Sequence, residues 1–188
     1  MDRRSVLTYL TLGCSGVIAY KAGQGLISAT QPTADVQRFA RPIIVETKEV
    51  PPGTFRVYRV NSAPLLVWHR SKVETERAKS QDLPLEWPDR QARISGITEN
   101  MPARDFVLTA KHEWLVIWCV CPNLGCIPIA QKGDFGGFFC PCDKSHYDLA
   151  GRFRTGPKPR NMEVIRASLS KDARRLTIPN HEPPIYWR

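Results

Sequence analysis

From Ile43 onward the apolar positions gather in short β-branched or aromatic runs, Ile43 to Glu46, Thr54 to Val60 and Leu65 to Arg70. They are divided by Pro51-Pro52-Gly53 and Asn61-Ser62-Ala63-Pro64. Runs of this length separated by turn residues predict strands, and an antiparallel meander is the simplest arrangement of the three. Ser71 to Ser80, rich in Glu, Lys, Arg and Ala, predicts a short surface helix. Residues 83–101, with Pro84 and Pro88 and then Pro102, read as a long connection. Glu113 to Val120 then predicts an apolar strand leading into a group of cysteines.

The N-terminal pattern is different. Asp2-Arg3-Arg4-Ser5-Val6-Leu7 sets two arginines before an apolar stretch, the form of a twin-arginine export signal. Val6 to Tyr20 is apolar or small apart from threonines and serines, Lys21 interrupts, and Ala22 to Ala29 resumes. A span needs about 20 predominantly apolar residues, so the lysine weakens this one. No clean A-x-A-like cleavage site follows, and an uncleaved signal anchor over residues 1–29 is the expectation. With the arginines inside, the head lies on the periplasmic side of an inner membrane, or on the equivalent intermembrane-space side of a mitochondrion. Residues 30–42 lack periodicity and read as a hinge linker, leaving 43–188 as one head domain.

Composition narrows the class. The 188 residues are 42% hydrophobic and 24% charged, with 16 prolines, a profile of loops and short strands rather than long helices. Net charge is +9, and residues 151–188 hold nine Lys/Arg against three Asp/Glu. No aromatic-studded basic helix, P-loop or zinc-finger spacing accompanies that charge, which argues against nucleic acid and for an acidic partner, an anionic surface or a solvated face.

Five of the six cysteines fall between 119 and 142: Cys119, then Cys121-Pro122-Asn123-Leu124-Gly125-Cys126, then thirteen residues, then Cys140-Pro141-Cys142-Asp143-Lys144-Ser145. Two such loops facing one another are how small β-folds gather thiolates around iron-sulfur clusters or zinc. In an exported protein the same spacing also fits a disulfide framework, and counting alone does not choose.

The run from Glu113-Trp114-Leu115-Val116-Ile117 through both cysteine loops resembles the Rieske subunit of respiratory complex III. Gly133-Asp134-Phe135-Gly136-Gly137, Ser145-His146-Tyr147-Asp148 and Gly156-Pro157-Lys158-Pro159 carry the likeness further, and with the anchor and linker it covers nearly the whole chain. The resemblance implies an all-β head, the Rieske fold of stacked antiparallel sheets, with cluster-binding tip loops 121–126 and 140–145 and an N-terminal transmembrane helix. It implies a ubiquinol-cytochrome c reductase partner set, cytochrome b and a cytochrome c-type subunit, in a dimeric assembly. It implies a [2Fe-2S] cluster on Cys121 and Cys140, a disulfide between Cys126 and Cys142, and hydroxyls of Ser145 and Tyr147 bonded to the cluster. The anchor and the Gly133 run set it apart from oxygenase-associated Rieske ferredoxins.

The departures are as specific as the likeness. The family reads C-T-H-x-G-C and C-P-C-H-G-S. Here Asn123 and Asp143 stand at the two histidine positions, Pro122 replaces the threonine and Lys144 the glycine. Imidazole is a good iron ligand whose second nitrogen titrates, coupling electron transfer to proton loss. An amide oxygen is a poor ligand, and a carboxylate adds negative charge. The expectation is therefore no cofactor, and a structural or regulatory role. The alternative is a ubiquinol-to-cytochrome c electron carrier with an atypically ligated cluster on Cys121, Cys140, Asp143 and a further group. If the tip is vacant, Cys121 and Cys140 are expected as close thiols or a disulfide, or holding a soft metal, with Asp143 facing Lys144 or solvent. Loss of the glycine is expected to reshape the second loop. Among other candidates, Cys119 lies two residues before Cys121 on the same strand face. His146 reads as structural, and His69, His112 and His181 have no motif around them.

Overall fold

The computed structural model describes residues 2–33, 36, 41–80, 93–94 and 113–187. The chain forms two compact units, residues 1–38 and 39–188. In the first, helix α1 spans Arg3–Thr30 and closes with the Gln31 N–H on the Ser28 carbonyl. Thr8, Thr11, Ser15, Ser28 and Thr30 each turn their hydroxyl back onto a carbonyl three or four residues earlier. Among the described residues no helix is long and apolar enough to cross a membrane. Of the transmembrane helix expected at the N-terminus the helix itself is present, and its hydroxyls, its glycines and Lys21 dilute its apolar content.

Among its described residues the second unit holds twelve short strands in three sheets. Strands β2 (Thr54–Val60), β3 (Ala63–His69) and β5 (Trp114–Trp118) form an antiparallel meander. Their sheet is extended by β10 (Glu163–Val164) and β4 (Arg93–Ile94), which pair in parallel. Strand β1 (Ile43–Glu46) does not join the meander. It pairs instead with β12 (Arg175–Ile178), which also binds β11 (Ser168–Leu169). The third sheet orders β6 (Ile129–Ala130), β7 (Gly136–Phe139), β8 (His146–Asp148) and β9 (Phe153–Thr155) as an antiparallel meander.

The central strands β3 and β5 read as unbroken apolar runs because both faces are covered. Leu66, Trp68, Leu115 and Ile117 point into one core, which contains the cysteines, Phe138 and Tyr147. Leu65, Val67, Trp114, Val116 and Trp118 point into the other, against Val45, Leu176 and Ile178. Alternation along each strand thus feeds two cores at once. Strand β3 starts two residues earlier than predicted. Asn61 and Ser62 both adopt positive φ, so a two-residue turn suffices. Pro64 then sits within the strand and uses its carbonyl to accept the Cys119 N–H at 2.9 Å.

The predicted surface helix is α2 (Lys72–Ser80). Ser71 and Glu74 cap it reciprocally: each backbone N–H donates to the other's side-chain oxygen, at 2.7 and 3.2 Å. Of the predicted 83–101 connection, Arg93–Ile94 is a short strand and the rest lies outside the described residues. So do His112 and residues 34–35 and 37–40 of the predicted linker.

Candidate metal centre at the cysteine loops

Two loops leave the neighbouring ends of β5 and β7. In the first, the Cys121 N–H donates to the Cys126 carbonyl at 2.7 Å, and the Gly125 N–H donates to the Cys121 carbonyl at 2.9 Å. Gly125 has φ +71 and packs so closely on the Tyr186 carbonyl that a Cβ would stand 2.5 Å from that oxygen. In the second loop the Cys140 N–H donates to the Ser145 carbonyl at 2.9 Å. A disulfide joins Cys126 to Cys142, with Cα atoms 6.5 Å apart, and ties one loop to the other.

Within this frame Cys121 and Cys140 are free, fully buried thiols. Their sulfurs and an Asp143 carboxylate oxygen all lie within 4.8 Å of one another. Asp143 accepts from the Asn123 amide at 2.8 Å, from the Ser145 N–H at 3.0 Å and from the Cys121 thiol at 3.5 Å. The expectation that Asp143 faces Lys144 or solvent is corrected: three donors inside the tip outweigh one exposed ammonium. Burial acts to raise the Asp143 carboxyl, but hydrogen bonds from Asn123, Cys140 and Ser145 hold it below its ordinary value. Burial pushes the Cys140 thiol up to about 12.

The Tyr147 hydroxyl lies 3.7 Å from the Cys121 sulfur. Its pKa is raised, first by burial and then by that sulfur. Ser145 is fully buried, and its Oγ is near enough to Asp143 and Tyr147 to affect their titration, yet it has no hydrogen-bond partner of acceptable geometry. Gly156, at the start of the Gly156-Pro157-Lys158-Pro159 loop, covers it so closely that a Cβ would stand 2.4 Å from Ser145 Oγ. Lys144 adopts φ +59, a left-handed bend that costs a non-glycine residue about 1 kcal/mol.

The remaining candidates fall elsewhere. The Cys119 thiol donates to the Pro128 carbonyl at 3.5 Å and stands apart from the Cys121, Cys140 and Asp143 group; burial raises it to about 12. His146 accepts from the Asp134 N–H and packs edge-on against Phe139. His69 stacks on Trp114 with ring centroids 4.0 Å apart. The His181 carbonyl accepts from Asn61. Sequence reasoning missed the support behind the tip. There the buried Asp148 carboxylate binds Arg152 at 2.7 Å and Arg154 at 3.0 Å, accepts the Ala150 and Arg152 N–H groups, and fixes the β8–β9 turn. Alternation along 146–148 carries no sign of a buried charge there.

Stacked sheets carrying two disulfide-braced cysteine loops define the Rieske class of β protein, and sequence comparison names the branch. The iron-sulfur subunit of ubiquinol-cytochrome c reductase from Cereibacter sphaeroides is 40% identical over 165 residues, covering 86% of this chain and 87% of that protein. The mitochondrial Rieske subunit of the cytochrome b-c1 complex from Gorilla gorilla gorilla is 35% identical over 175 residues, covering 91% of this chain and 59% of that longer protein. This chain belongs to the family of Rieske iron-sulfur subunits of ubiquinol-cytochrome c reductase. No family model matches it. In fold it resembles a chain of a hyperthermophilic respiratory complex III, with TM-score 0.54 and 18% identity over 89% of this chain and 98% of that one.

The residues present fit a [2Fe-2S] cluster on one side only. Two close thiols, the Tyr147 hydroxyl and the unsatisfied Ser145 hydroxyl suit the cysteine-held iron and its sulfides. On the other side an amide and a carboxylate bond to each other where two imidazole nitrogens belong. The histidine-ligated form does not fit this tip.

Proposed function

We propose that the chain serves in a ubiquinol-cytochrome c reductase assembly as a Rieske-type subunit without a histidine-ligated cluster, in a structural or regulatory role. The observation that carries this reading is the 2.8 Å hydrogen bond from Asn123 to Asp143. Each side chain satisfies the other, and neither offers the neutral, titratable nitrogen that binds iron and takes up the proton of quinol.

The bracing disulfide, the buried thiols and the covering loop are what a subunit needs to keep its shape within an assembly. Leu124 and Ile127 are exposed at the tip and offer an apolar face to a partner such as cytochrome b. A cytochrome c-type subunit and the other half of a dimer complete the partner set. Helix α1 anchors the chain in an inner membrane in this reading, with Arg3 and Arg4 inside, the head outside and residues 30–42 as hinge. Five of its hydroxyls are bonded to its own backbone, which lowers the cost of burying them.

The test is to purify the full chain from its native membrane in mild detergent, identify what accompanies it, and measure iron, acid-labile sulfide and paramagnetic resonance. The expected result is cytochrome b in the preparation, with no stoichiometric iron or sulfide on this chain. Stoichiometric iron and sulfide with a Rieske-type signal would instead establish the electron carrier with atypical ligation. Recovery of the intact chain without detergent would overturn the anchor.

A further inference from the structure

We infer that Cys121, Cys140 and Asp143 form a mononuclear zinc site. The inference rests on the reading above that no cluster occupies the tip. Three features of the tip point to a single small cation of borderline softness.

The first is spacing. Zinc bonds of about 2.3 Å to sulfur and about 2.0 Å to oxygen put the corners of a tetrahedron about 3.5 Å apart for a sulfur-oxygen edge and about 3.8 Å for a sulfur-sulfur edge. The Cys121 sulfur and the Asp143 Oδ2 already stand 3.5 Å apart, and the Cys140 sulfur lies within 4.8 Å of both. Small rotations of the Cys140 side chain close the set around one ion.

The second is orientation. Asp143 Oδ1 is held by the Ser145 N–H and Oδ2 by the Asn123 amide, which leaves a lone pair of Oδ2 facing the sulfurs. Metal sites fix their carboxylates through outer partners of this kind. The third is the Ser145 hydroxyl, fully buried and without a partner beside Asp143 and Tyr147. Once a thiol proton is replaced by metal, a ligand sulfur becomes a stronger acceptor for the Ser145 and Tyr147 hydroxyls, and the orphaned group gains a role.

Two thiolates and a carboxylate select zinc over magnesium or calcium, which take oxygen ligands. Binding releases two thiol protons to solvent and involves no redox change. Three protein ligands leave the fourth position to water, the arrangement of an open zinc site.

The test uses the full chain in detergent, purified anaerobically with its disulfide intact, and adds zinc chloride or cobalt chloride alone. The expected result is one zinc per chain, and with cobalt a thiolate charge-transfer band together with the visible bands of a tetrahedral ion. Cys121→Ser, Cys140→Ser and Asp143→Asn should each abolish the charge-transfer pattern or weaken binding at least tenfold. Asn123→Ala should weaken it about 10- to 100-fold as an outer partner. Cys119→Ser should leave it unchanged, and thermal melts of every variant distinguish lost metal from lost fold. Zinc uptake that survives Cys121→Ser in a folded chain overturns the inference, as does a chain with free thiols that takes up neither metal. Stoichiometric iron and sulfide would instead overturn the reading on which the site rests, so the two failures are distinct.

Discussion

The Asn123 amide and the Asp143 carboxylate meet at 2.8 Å across the gap between the two cysteine loops, where the family places its imidazole ligands. The bond spans 20 residues of sequence and lies beside the Cys121 sulfur. Replacing both residues with histidine should therefore be necessary before any histidine-ligated cluster assembles. Asn123→His with Asp143→His, expressed with cluster-assembly machinery, is expected to show a Rieske-type resonance, while each single variant shows none. A signal from either single variant would mean that the remaining polar residue can serve as a ligand after all.

The loops are also joined covalently through Cys126 and Cys142, separated by 16 residues. Closing a loop of that length contributes roughly 3 kcal/mol in the chain-entropy view. For a head of this size, Cys126→Ser with Cys142→Ser should lower the melting temperature by roughly 6–12 °C. A shift smaller than 2 °C would show that the core alone fixes the loops.

Behind the tip, Asp148 is fully buried and holds Arg152 and Arg154, while Arg70 donates to the neighbouring Leu149 carbonyl. Asp148→Ala strands buried guanidinium charge and should destabilise the head by about 3–5 kcal/mol. Chemical denaturation of the variant beside the parent chain measures it, and a loss below about 1 kcal/mol would mean water replaces the carboxylate freely.

Asp172 supplies a pH-dependent contribution. Its carboxylate accepts from the Ser170 hydroxyl and the Arg174 N–H in the β11–β12 turn, and the Ser170 bond is the main reason its pKa is lowered. A carboxyl depressed in the folded state stabilises it above the unfolded value near 4 and loses that contribution as pH falls through the folded value. The melting-temperature gap between the parent chain and Asp172→Ala should therefore be present at pH 7 and close progressively below about pH 4. A gap independent of pH would assign the effect to the turn backbone instead.

Much of the head is legible in the sequence. The β-branched runs at 43–46 and 54–60 are strands with the bounds their turn residues imply, and the stretch from Ser71 to Ser80, rich in Glu, Lys, Arg and Ala, holds the expected short helix. These are local signals: strand periodicity, proline and glycine punctuation, and residue preference over a few turns of helix. The sequence by itself also determined the family and the four tip positions, 122, 123, 143 and 144, at which this chain departs from it, because ligand identity is written residue by residue.

Only the tertiary structure decided what those departures do. That β1 pairs with β12 rather than β2 depends on contacts more than 120 residues apart, which no local pattern encodes. The direction of Asp143 is set in the same way by contacts distant in sequence. Its neighbour Lys144 is adjacent in sequence, but Asn123, Cys121 and the Ser145 N–H surround it in space, and half-buried polar groups settle where their hydrogen bonds are satisfied. Lys144 adopting a positive φ is likewise a tertiary outcome, since the disulfide and the Cys140–Ser145 bond hold the loop more strongly than the strain of one residue opposes it.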